Sequence, residues 1–375
     1  MSAKNQTQKN SIYSEEERIT ILEGACDSLL AWYRIHARQL PWRVQESRTN
    51  RPDPYHVWIS EIMLQQTRVE VVKEYYLRFL KRLPSVSDLA EVQEDELMKL
   101  WQGLGYYNRA RNLQRAARMI MEEYQGNFPE EYDQLLLLPG IGEYTAGAIA
   151  SISFGKPVPA VDGNVYRIYT RLFGDASDIT KTAVKRKIRE QLLAVMPEEL
   201  PGSLNQAWMD LGAVVCIPNG EPHCGECPLA EDCLAKKENS WQSFPVKPLK
   251  KPRKQEERTV IVLECQGRYL IQKRPERGLL AGLWEFPSQP ERLSLPGLQE
   301  VLQCWQIESP EIELLGKGEH IFSHVEWHML GYLVHVTSLP TNRIPQEETV
   351  WASLSELRDK YSIPSAFRCY YEKLL

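Results

Sequence analysis

The sequence predicts a multidomain protein in which an all-α part is followed by a smaller α+β part. Before residue 258, apolar residues recur at helical spacing and no strand pattern is present. After residue 258 the apolar period changes to two, as in TVIVLEC and RYLIQKR, which indicates strands. Between the two parts, residues 236–258 combine three prolines with eight Lys or Arg and three Glu, which is typical of a linker between domains.

The composition is that of a globular chain of two or three domains, with 375 residues, 43% hydrophobic and 25% charged. No apolar run reaches the length of a membrane span, and the polar N-terminus lacks a secretory core. We therefore expect a disordered lead-in over residues 1–15 and a bacterial cytoplasmic location. Because the net charge is −5, a nucleic-acid-binding chain must concentrate its cations locally. The linker does so, as does a stretch without carboxylates, residues 99–121, which carries Lys99, Arg109, Arg111, Arg115 and Arg118.

Helix signals divide the all-α part into amphipathic segments. One such pattern covers 16–40, and Asp53-Pro54 supplies an N-cap followed by a proline in the first turn of the next helix. We expect further helices at 69–82, 95–101, 108–124 and 163–173, with more helix up to residue 211.

A carboxylate lies on the apolar face of the helix that follows Asp53. Val57, Trp58 and Ile62 define this face, and Glu61 belongs to it by its spacing of four and three residues. A buried ion pair would explain such a position. The functional alternative is a desolvated acid whose pKa is raised, so that it can donate a proton near neutrality.

The segment LPGIG predicts a tight turn between two helices. Gly140 and Gly142 allow the backbone amides to point outward, and a second helix begins near Glu143. Free N–H groups at a helix N-terminus form an anion site that reads no base, which suits the phosphate backbone of a nucleic acid. An ordinary helical hairpin remains the alternative for this motif taken alone.

Asp162 stands in a VDGN turn at the start of the helix 163–173. As an N-cap, its anion should be favoured by free N–H groups and by the helix dipole. Capping alone would account for this residue. Together with Glu61, however, it forms the pair that cleavage of an N-glycosidic bond requires. The acid protonates the leaving base, and the anion stabilises the sugar cation.

Four of the eight cysteines form a cluster, C-x7-C-x2-C-x5-C, made of Cys216, Cys224, Cys227 and Cys233. In a chain without a secretory signal this spacing predicts a metal site in a reducing compartment. This spacing is compatible with either a zinc ion or an iron–sulfur cubane. Only one pair is tightly spaced and the four thiols lie within eighteen residues, which favours the cubane.

The α+β part resembles the Nudix fold, with GLLAGLWEFP in the place that precedes a Nudix box. We expect strands at LWEFP and HVEWHMLGYLVHV and partial helix over 355–375. The segment PSQPERLSLPGLQEVLQ lacks the paired glutamates that would hold magnesium on a diphosphate, so we exclude a diphosphate hydrolase. His320, His324 and His328 recur every four residues. On one strand this interval spans about 13 Å, too far for a common ion.

Taken together, the motifs resemble those of adenine DNA glycosylases of the MutY family, within the endonuclease III-like, helix-hairpin-helix superfamily. The resemblance covers roughly residues 20–370 and rests on specific motifs: LPWR, WISEIMLQQT, GLGYYNRARNL, LPGIGEYTAGAIAS, VDGNVYR, the cysteine loop, LWEFP and FSH. It implies a base-flipping enzyme that removes adenine mispaired with 8-oxoguanine or guanine. It also implies a 4Fe–4S cluster on the four cysteines, although the usual first gap is six residues and here it is seven.

The resemblance also implies roles for individual residues. Glu61 would protonate the adenine, Asp162 would stabilise the sugar cation and Asn164 would order that site. Further residues would contact DNA: Arg43 and Asp210 in the adenine pocket, Gln66, Thr67, Leu104 and Tyr106 in the gap of the duplex, Ser323 at 8-oxoguanine, and Gly140 and Gly142 at the backbone. Tyr144 occupies the place where related lyases carry a Schiff-base lysine, so we expect hydrolysis without strand cleavage.

By the same resemblance, two helical lobes would hold the adenine between them, in a monomer bound to double-stranded DNA. The cluster lobe would comprise 16–50 and 158–235, and a six-helix lobe would comprise 51–157. The linker 236–258 and a recognition domain over 259–375 would follow. Two alternatives stay open: a bifunctional endonuclease III-like lyase, and a non-catalytic, metal-stabilised DNA-binding protein. The latter would not need Glu61 on an apolar face.

Overall fold

The computed structural model describes residues 12–43, 51–248, 252–307, 309–337 and 348–375. The chain divides into two compact units, Met1–Glu91 with Asn112–Leu249, and Val92–Arg111 with Lys250–Leu375. In its described residues the first unit is helical and the second contains a sheet, so the predicted fold class is confirmed. Most of the predicted lead-in, residues 1–11, lies outside the described residues. No helix in the described part of the chain combines the length and apolarity needed to cross a membrane.

The helical part begins with the predicted helices and adds short ones. The helices are α1 Glu15–His36, α2 Pro54–Leu64, α3 Val69–Arg82, α4 Val86–Glu91, α5 Glu94–Trp101, α6 Asn108–Glu123, α7 Tyr132–Leu135, α8 Glu143–Phe154, α9 Gly163–Leu172, α10 Thr182–Ala194, α11 Pro201–Val214 and α12 Leu234–Lys237. The Asp53 side chain caps α2 by accepting from the amide of Tyr55, with Pro54 in the first turn as predicted. The six-residue helix α4 was not predicted, because one and a half turns carry too little periodicity.

One core of the first unit joins α1, α9, α10 and α11. Leu29, Tyr169, Leu204 and Leu211 are fully buried there. Each large side chain of this kind contributes roughly 1.5–3 kcal/mol through burial. Cys216, Cys227 and Cys233 pack against the same core, so the cysteine loop lies on a rigid base.

Over the residues that the structure describes, the second unit is built on one seven-stranded sheet. Its strands are β1 Lys254–Cys265, β2 Arg268–Lys273, β3 Trp284–Glu285, β4 Ser288–Gln289, β5 Glu311–Ile321, β6 Val325–His335 and β7 Thr349–Ser353. The strand order is β3-β2-β1-β6-β5, while β4 pairs with β1 and β7 with β2. β1 and β6 are parallel, with Val260 opposite Gly331, and the remaining pairs are antiparallel.

Both faces of this sheet are covered. Ile261 and Leu263 of β1 face α13 (Leu295–Cys304), and Val260 and Val262 face the C-terminal helices α14 (Leu354–Asp359) and α15 (Arg368–Tyr371). Double burial explains the continuous apolar run TVIVLEC. β5 and β7 were not predicted, because β5 is an edge strand rich in Glu and Gly and β7 has only five residues.

His320, His324 and His328 were expected to lie along one strand, and this expectation is wrong. β5 and β6 form a hairpin in which His320 lies opposite Trp327 and His328 lies opposite Glu319. Neighbouring positions of a strand face opposite sides of the sheet, so His320 and His328 point to different faces. His324 lies in the turn between the strands. The histidines are thus separate, but for a reason other than the distance along one strand.

Both ends of the predicted linker belong to the folded units. At the first end, α12 and the turn Trp241–Ser243 are ordered, and the carbonyl of Val246 accepts from the amide of Ile179. At the other end β1 already begins at Lys254. Residues 249–251, between these ends, lie outside the described residues.

Candidate active site

A cavity of about 490 Å³ in the first unit collects most of the predicted catalytic residues. It is bordered by α2 and the turn after it, the first turns of α8 and α9, and one face of α11. The predicted residues on its wall are Arg43, Glu61, Gln66, Thr67, Tyr144, Asp162 and Asn164. These side chains come from segments separated by up to 120 positions, so only the fold brings them together.

Glu61 is buried in the wall of this cavity, with 5% of its surface exposed. The Tyr144 hydroxyl donates to Glu61 Oε2 at 2.5 Å and also lies 3.5 Å from Met209 Sδ. Burial raises the pKa of Glu61 to about 7. The nearby Asp162 adds to this rise, while the Tyr144 hydroxyl and the Arg43 guanidinium oppose it. Glu61 can therefore hold a proton near neutrality, as its place on an apolar helix face predicted.

Asp162 caps α9, but its pKa does not move as expected. Its Oδ1 accepts from the amides of Asn164 and Val165 at 2.9 Å each, and its Oδ2 accepts from Asn164 Nδ2 at 2.6 Å. These hydrogen bonds and the helix dipole were expected to lower the pKa of the Asp162 carboxyl. Burial instead raises the pKa of Asp162, because desolvation outweighs all three hydrogen bonds. The anionic form of Asp162 is thus poorly solvated, and hydrogen bonds from Asn164 stabilise it.

Arg167, a residue that was not predicted from the sequence to take part in the site, holds Asn164 in this orientation. Its Nη2 donates to Asn164 Oδ1 at 2.9 Å and to the Gly212 carbonyl at 2.7 Å, and its Nε donates to the Cys216 carbonyl at 2.8 Å. With its oxygen engaged, the Asn164 amide presents its nitrogen to Asp162. The one sequence signal for the contact between Arg167 and Asn164 is their spacing of three residues on α9.

Arg43 and Asp210 form a buried pair at one side of the cavity. Arg43 donates to both oxygens of Asp210, at 2.7 and 2.8 Å, and Arg38 adds a further contact at 2.7 Å. Burial would raise the pKa of Asp210, yet the two guanidiniums hold it below its ordinary value. Asp210, which was expected in the adenine pocket, does not itself border this cavity. It is fully buried behind Arg43 and Arg38, and these two arginines border the cavity.

The turn that follows α2 contains strained backbone. Gln66 adopts a left-handed conformation with φ 57°, which is uncommon for a residue with a Cβ. Gln66 and Thr67 both border the cavity, and the Thr67 amide donates to the Leu64 carbonyl at 3.3 Å. Strain of this kind costs about 1–3 kcal/mol and is concentrated at functional sites.

The predicted hairpin turn has the geometry of an anion site. Gly140 has φ +80°, and a Cβ there would lie 2.6 Å from Asn112 Cβ, so the position requires glycine. Gly142 is the N-cap of the twelve-residue helix α8, with no side-chain cap bond. The first amides of α8 therefore remain available for a phosphate oxygen.

The residues predicted to enter the duplex gap from the second unit lie in the turn Gly103–Tyr107. Leu104 is 6% exposed and lies beneath the turn, whereas Tyr106 is 49% exposed and has φ 48°. Ser323 is exposed in the turn between β5 and β6, with its Oγ 3.2 Å from His324 Nδ1. The ring of Phe322 packs edge-on against buried Trp327 beneath this turn.

The basic stretch 99–121 is mostly engaged within the protein. Four of its cations donate to backbone carbonyls, and the fifth donates to an amide oxygen of its own helix: Lys99 to Tyr361, Arg109 to Leu104, Arg111 to Ala281, Arg118 to Ala90, and Arg115 to Asn112 Oδ1. Each of these five cations therefore has a partner within the protein, and the expectation that the stretch supplies cations for DNA stays a prediction.

Cys216, Cys224, Cys227 and Cys233 line one cavity, together with Arg171 and Trp241. Arg171 Nη1 donates to Cys216 Sγ at 3.2 Å and to the Ile217 carbonyl at 3.0 Å. Among the described residues, no three His, Cys, Asp or Glu side chains converge as ligands of a single metal ion. In proteins, sets of four thiols hold either a structural zinc ion or an iron–sulfur group.

Comparison with known proteins assigns both parts of the chain. Residues 59–193 match the HhH-GPD superfamily of base excision DNA repair proteins, and residues 258–373 match the NUDIX domain. Adenine DNA glycosylase of Homo sapiens is 35% identical over 96% of this chain and 76% of its own length. That of Buchnera aphidicola subsp. Schizaphis graminum is 34% identical, over 88% and 93%.

Among solved structures, a thermostable thymine-DNA glycosylase is 27% identical with a TM-score of 0.52, covering 60% of this chain and 98% of its own. A non-covalent complex of endonuclease III with DNA, 23% identical with a TM-score of 0.50 over 61% and 99%, shares the fold. The curated adenine DNA glycosylases, together with the family match, support an enzyme over the non-catalytic alternative. The chain is an enzyme of base excision repair and belongs to the adenine DNA glycosylase family.

Proposed function

We propose that this enzyme hydrolyses the N-glycosidic bond of adenine mispaired with 8-oxoguanine or guanine, without cutting the strand. The observation that carries the proposal is the buried pair of carboxyls, Glu61 with a pKa of about 7 and Asp162 held by Asn164, on the wall of one cavity. Glu61 donates its proton to the leaving adenine. Asp162 stabilises the sugar cation, and its poor solvation strengthens that attraction.

The cavity supports hydrolysis rather than a lyase reaction. A lyase needs an amine that forms a Schiff base with the sugar. Tyr144 stands on the wall at the corresponding place, and no lysine is found among the described residues that border the cavity. Its hydroxyl keeps Glu61 oriented, because it donates to Glu61 Oε2.

The DNA contacts that belong to this proposal rest on the resemblance to the motifs of the family. The amides at Gly140 and Gly142 hold a phosphate, Gln66, Thr67, Leu104 and Tyr106 occupy the gap left by the extruded adenine, and Ser323 contacts 8-oxoguanine. Arg43 contacts the adenine and is held in place by Asp210. The enzyme acts as a monomer on double-stranded DNA of the nucleoid. Extrusion costs a few kcal/mol, least at a mispair, so contacts that fill the gap favour it.

We further propose that Cys216, Cys224, Cys227 and Cys233 hold a 4Fe–4S cluster. When bound, this group orders a loop that is poor in apolar residues. Arg171 helps to hold the loop through Cys216 Sγ. Iron and acid-labile sulfide analysis tests this directly, and stoichiometric zinc in place of iron would refute it.

The activity is tested with one end-labelled duplex that carries adenine opposite 8-oxoguanine. After incubation, half of the sample is treated with hot alkali. Cleavage only after alkali supports adenine removal with an intact strand. Cleavage without alkali would establish a lyase, and no cleavage in either half would refute the proposed substrate.

A further inference from the structure

The turn that carries Leu104 and Tyr106 belongs to the same compact unit as the C-terminal sheet. This unit comprises Val92–Arg111 with Lys250–Leu375. The link is unexpected from the sequence, because about 140 positions separate the two segments. Among the contacts within this unit are side chains of 92–111 that donate to backbone carbonyls of the C-terminal domain.

Internal contacts give the turn a defined shape. Trp101 Nε1 donates to the Gly105 carbonyl at 3.1 Å, and Arg109 Nη2 donates to the carbonyls of Leu104 and Gly105 at 3.0 and 3.1 Å. The Arg109 guanidinium also lies over the rings of Trp101 and Tyr106. The turn therefore moves as one body with the end of α5.

The end of α5 is held by the C-terminal domain. Lys99 Nζ donates to the carbonyls of Tyr361 at 2.9 Å and Leu357 at 3.4 Å, and Gln102 Nε2 donates to the Ile363 carbonyl at 2.6 Å. These carbonyls lie at and after the end of α14, where no helical amide is available for them. Removal of Lys99 Nζ takes a charged donor from the Tyr361 carbonyl, which keeps the Ile363 amide at 3.2 Å, and removal of Gln102 Nε2 takes a donor from the Ile363 carbonyl.

The other side of the segment is held as well. Arg111 Nη2 donates to the Ala281 carbonyl at 2.7 Å and its Nε to Glu94 at 2.6 Å. Trp284 Nε1 lies 3.4 Å from Asp95 Oδ1. Lys99 and Gln102 hold the segment within four residues of Gly103, where the turn begins.

We infer that the C-terminal domain positions the Leu104–Tyr106 turn in the duplex gap, and that Lys99 and Gln102 are the positioning residues. The inference rests on the proposed function, in which this turn fills the space left by adenine. The domain proposed to contact the opposite base would then also place the residues that stabilise the extruded state.

The test compares two duplexes in single-turnover assays with the full-length enzyme. In one, adenine faces 8-oxoguanine, and in the other it faces an abasic site, where extrusion costs less because no pair is broken. Lys99→Met and Gln102→Ala should each slow adenine removal opposite 8-oxoguanine by about five- to tenfold, which is the range for one lost hydrogen bond of ordinary net strength. Removal opposite the abasic site should change less than twofold.

Lys99→Arg keeps the donors and should restore the rate. Lys360→Met, at an exposed lysine of the same C-terminal segment, is the matched control and should leave both rates unchanged. Equal losses on both duplexes, or unchanged rates for Lys99→Met and Gln102→Ala, would overturn the inference. A wild-type enzyme that releases no adenine would instead overturn the proposed function, so the two failures are distinguishable.

Discussion

Replacement of Glu61 by glutamine should abolish catalysis and stabilise the protein in the same experiment. Loss of a general acid typically lowers the rate by about 10²- to 10⁴-fold. The stability effect follows from the pKa, which burial raises from 4.5 to about 7. Since one pKa unit corresponds to 1.36 kcal/mol, keeping Glu61 charged in the folded state costs about 3 kcal/mol.

The sign of this effect depends on pH. The folded state binds the Glu61 proton more tightly than the unfolded state, so this contribution to stability is complete below about pH 4.5 and is lost as pH rises through 7. Glutamine does not ionise. The variant should therefore differ least from the wild type at pH 5 and be clearly more stable at pH 8, with a thermal midpoint higher there by on the order of 5–10 °C.

Single-turnover adenine release and thermal unfolding at pH 5 and pH 8 measure both effects. Glu70→Gln is the matched control, because the Glu70 side chain is 80% exposed and pairs with Lys73. A Glu61→Gln enzyme within tenfold of the wild-type rate would refute the role as an acid. A stability difference that is the same at both pH values would refute burial of the charge as the cause of the raised pKa.

Three further variants probe the rest of the site. Tyr144→Phe removes a hydrogen bond that lowers the pKa of Glu61, so the alkaline limb of the pH–rate profile should move to higher pH, and an unchanged limb would contradict this. Cys227→Ser should give a colourless protein with a lower thermal midpoint. The control Cys304→Ser, at an exposed cysteine, should stay brown. A brown, stable Cys227→Ser protein would count against the cluster. Ser323→Ala should reduce the preference for 8-oxoguanine over guanine by about tenfold, as expected for one hydrogen bond, without slowing removal opposite guanine. An equal preference in variant and wild type would exclude the contact.

Local signals identified much of the site. Asp53-Pro54 sets the start of α2 and thereby the face on which Glu61 lies, so its burial and raised pKa follow from helical spacing. The φ of Gly140 and the cap made by Asp162 likewise follow from short motifs that need no distant partner. The period of the apolar residues separates the helical part from the sheet for the same reason.

What the sequence alone determined is therefore the class of each element and the identity of the chemical groups, because both depend on neighbours within a few residues. The tertiary structure decided how those groups behave, since desolvation and pairing depend on distant segments. Burial reversed the expected pKa shift of Asp162, and the pairing of Asp210 with Arg38 and Arg43 keeps the pKa of Asp210 low although it is buried. The role of Lys99 as a contact within the second unit could likewise not be read from the sequence, because its partners lie more than 250 positions away.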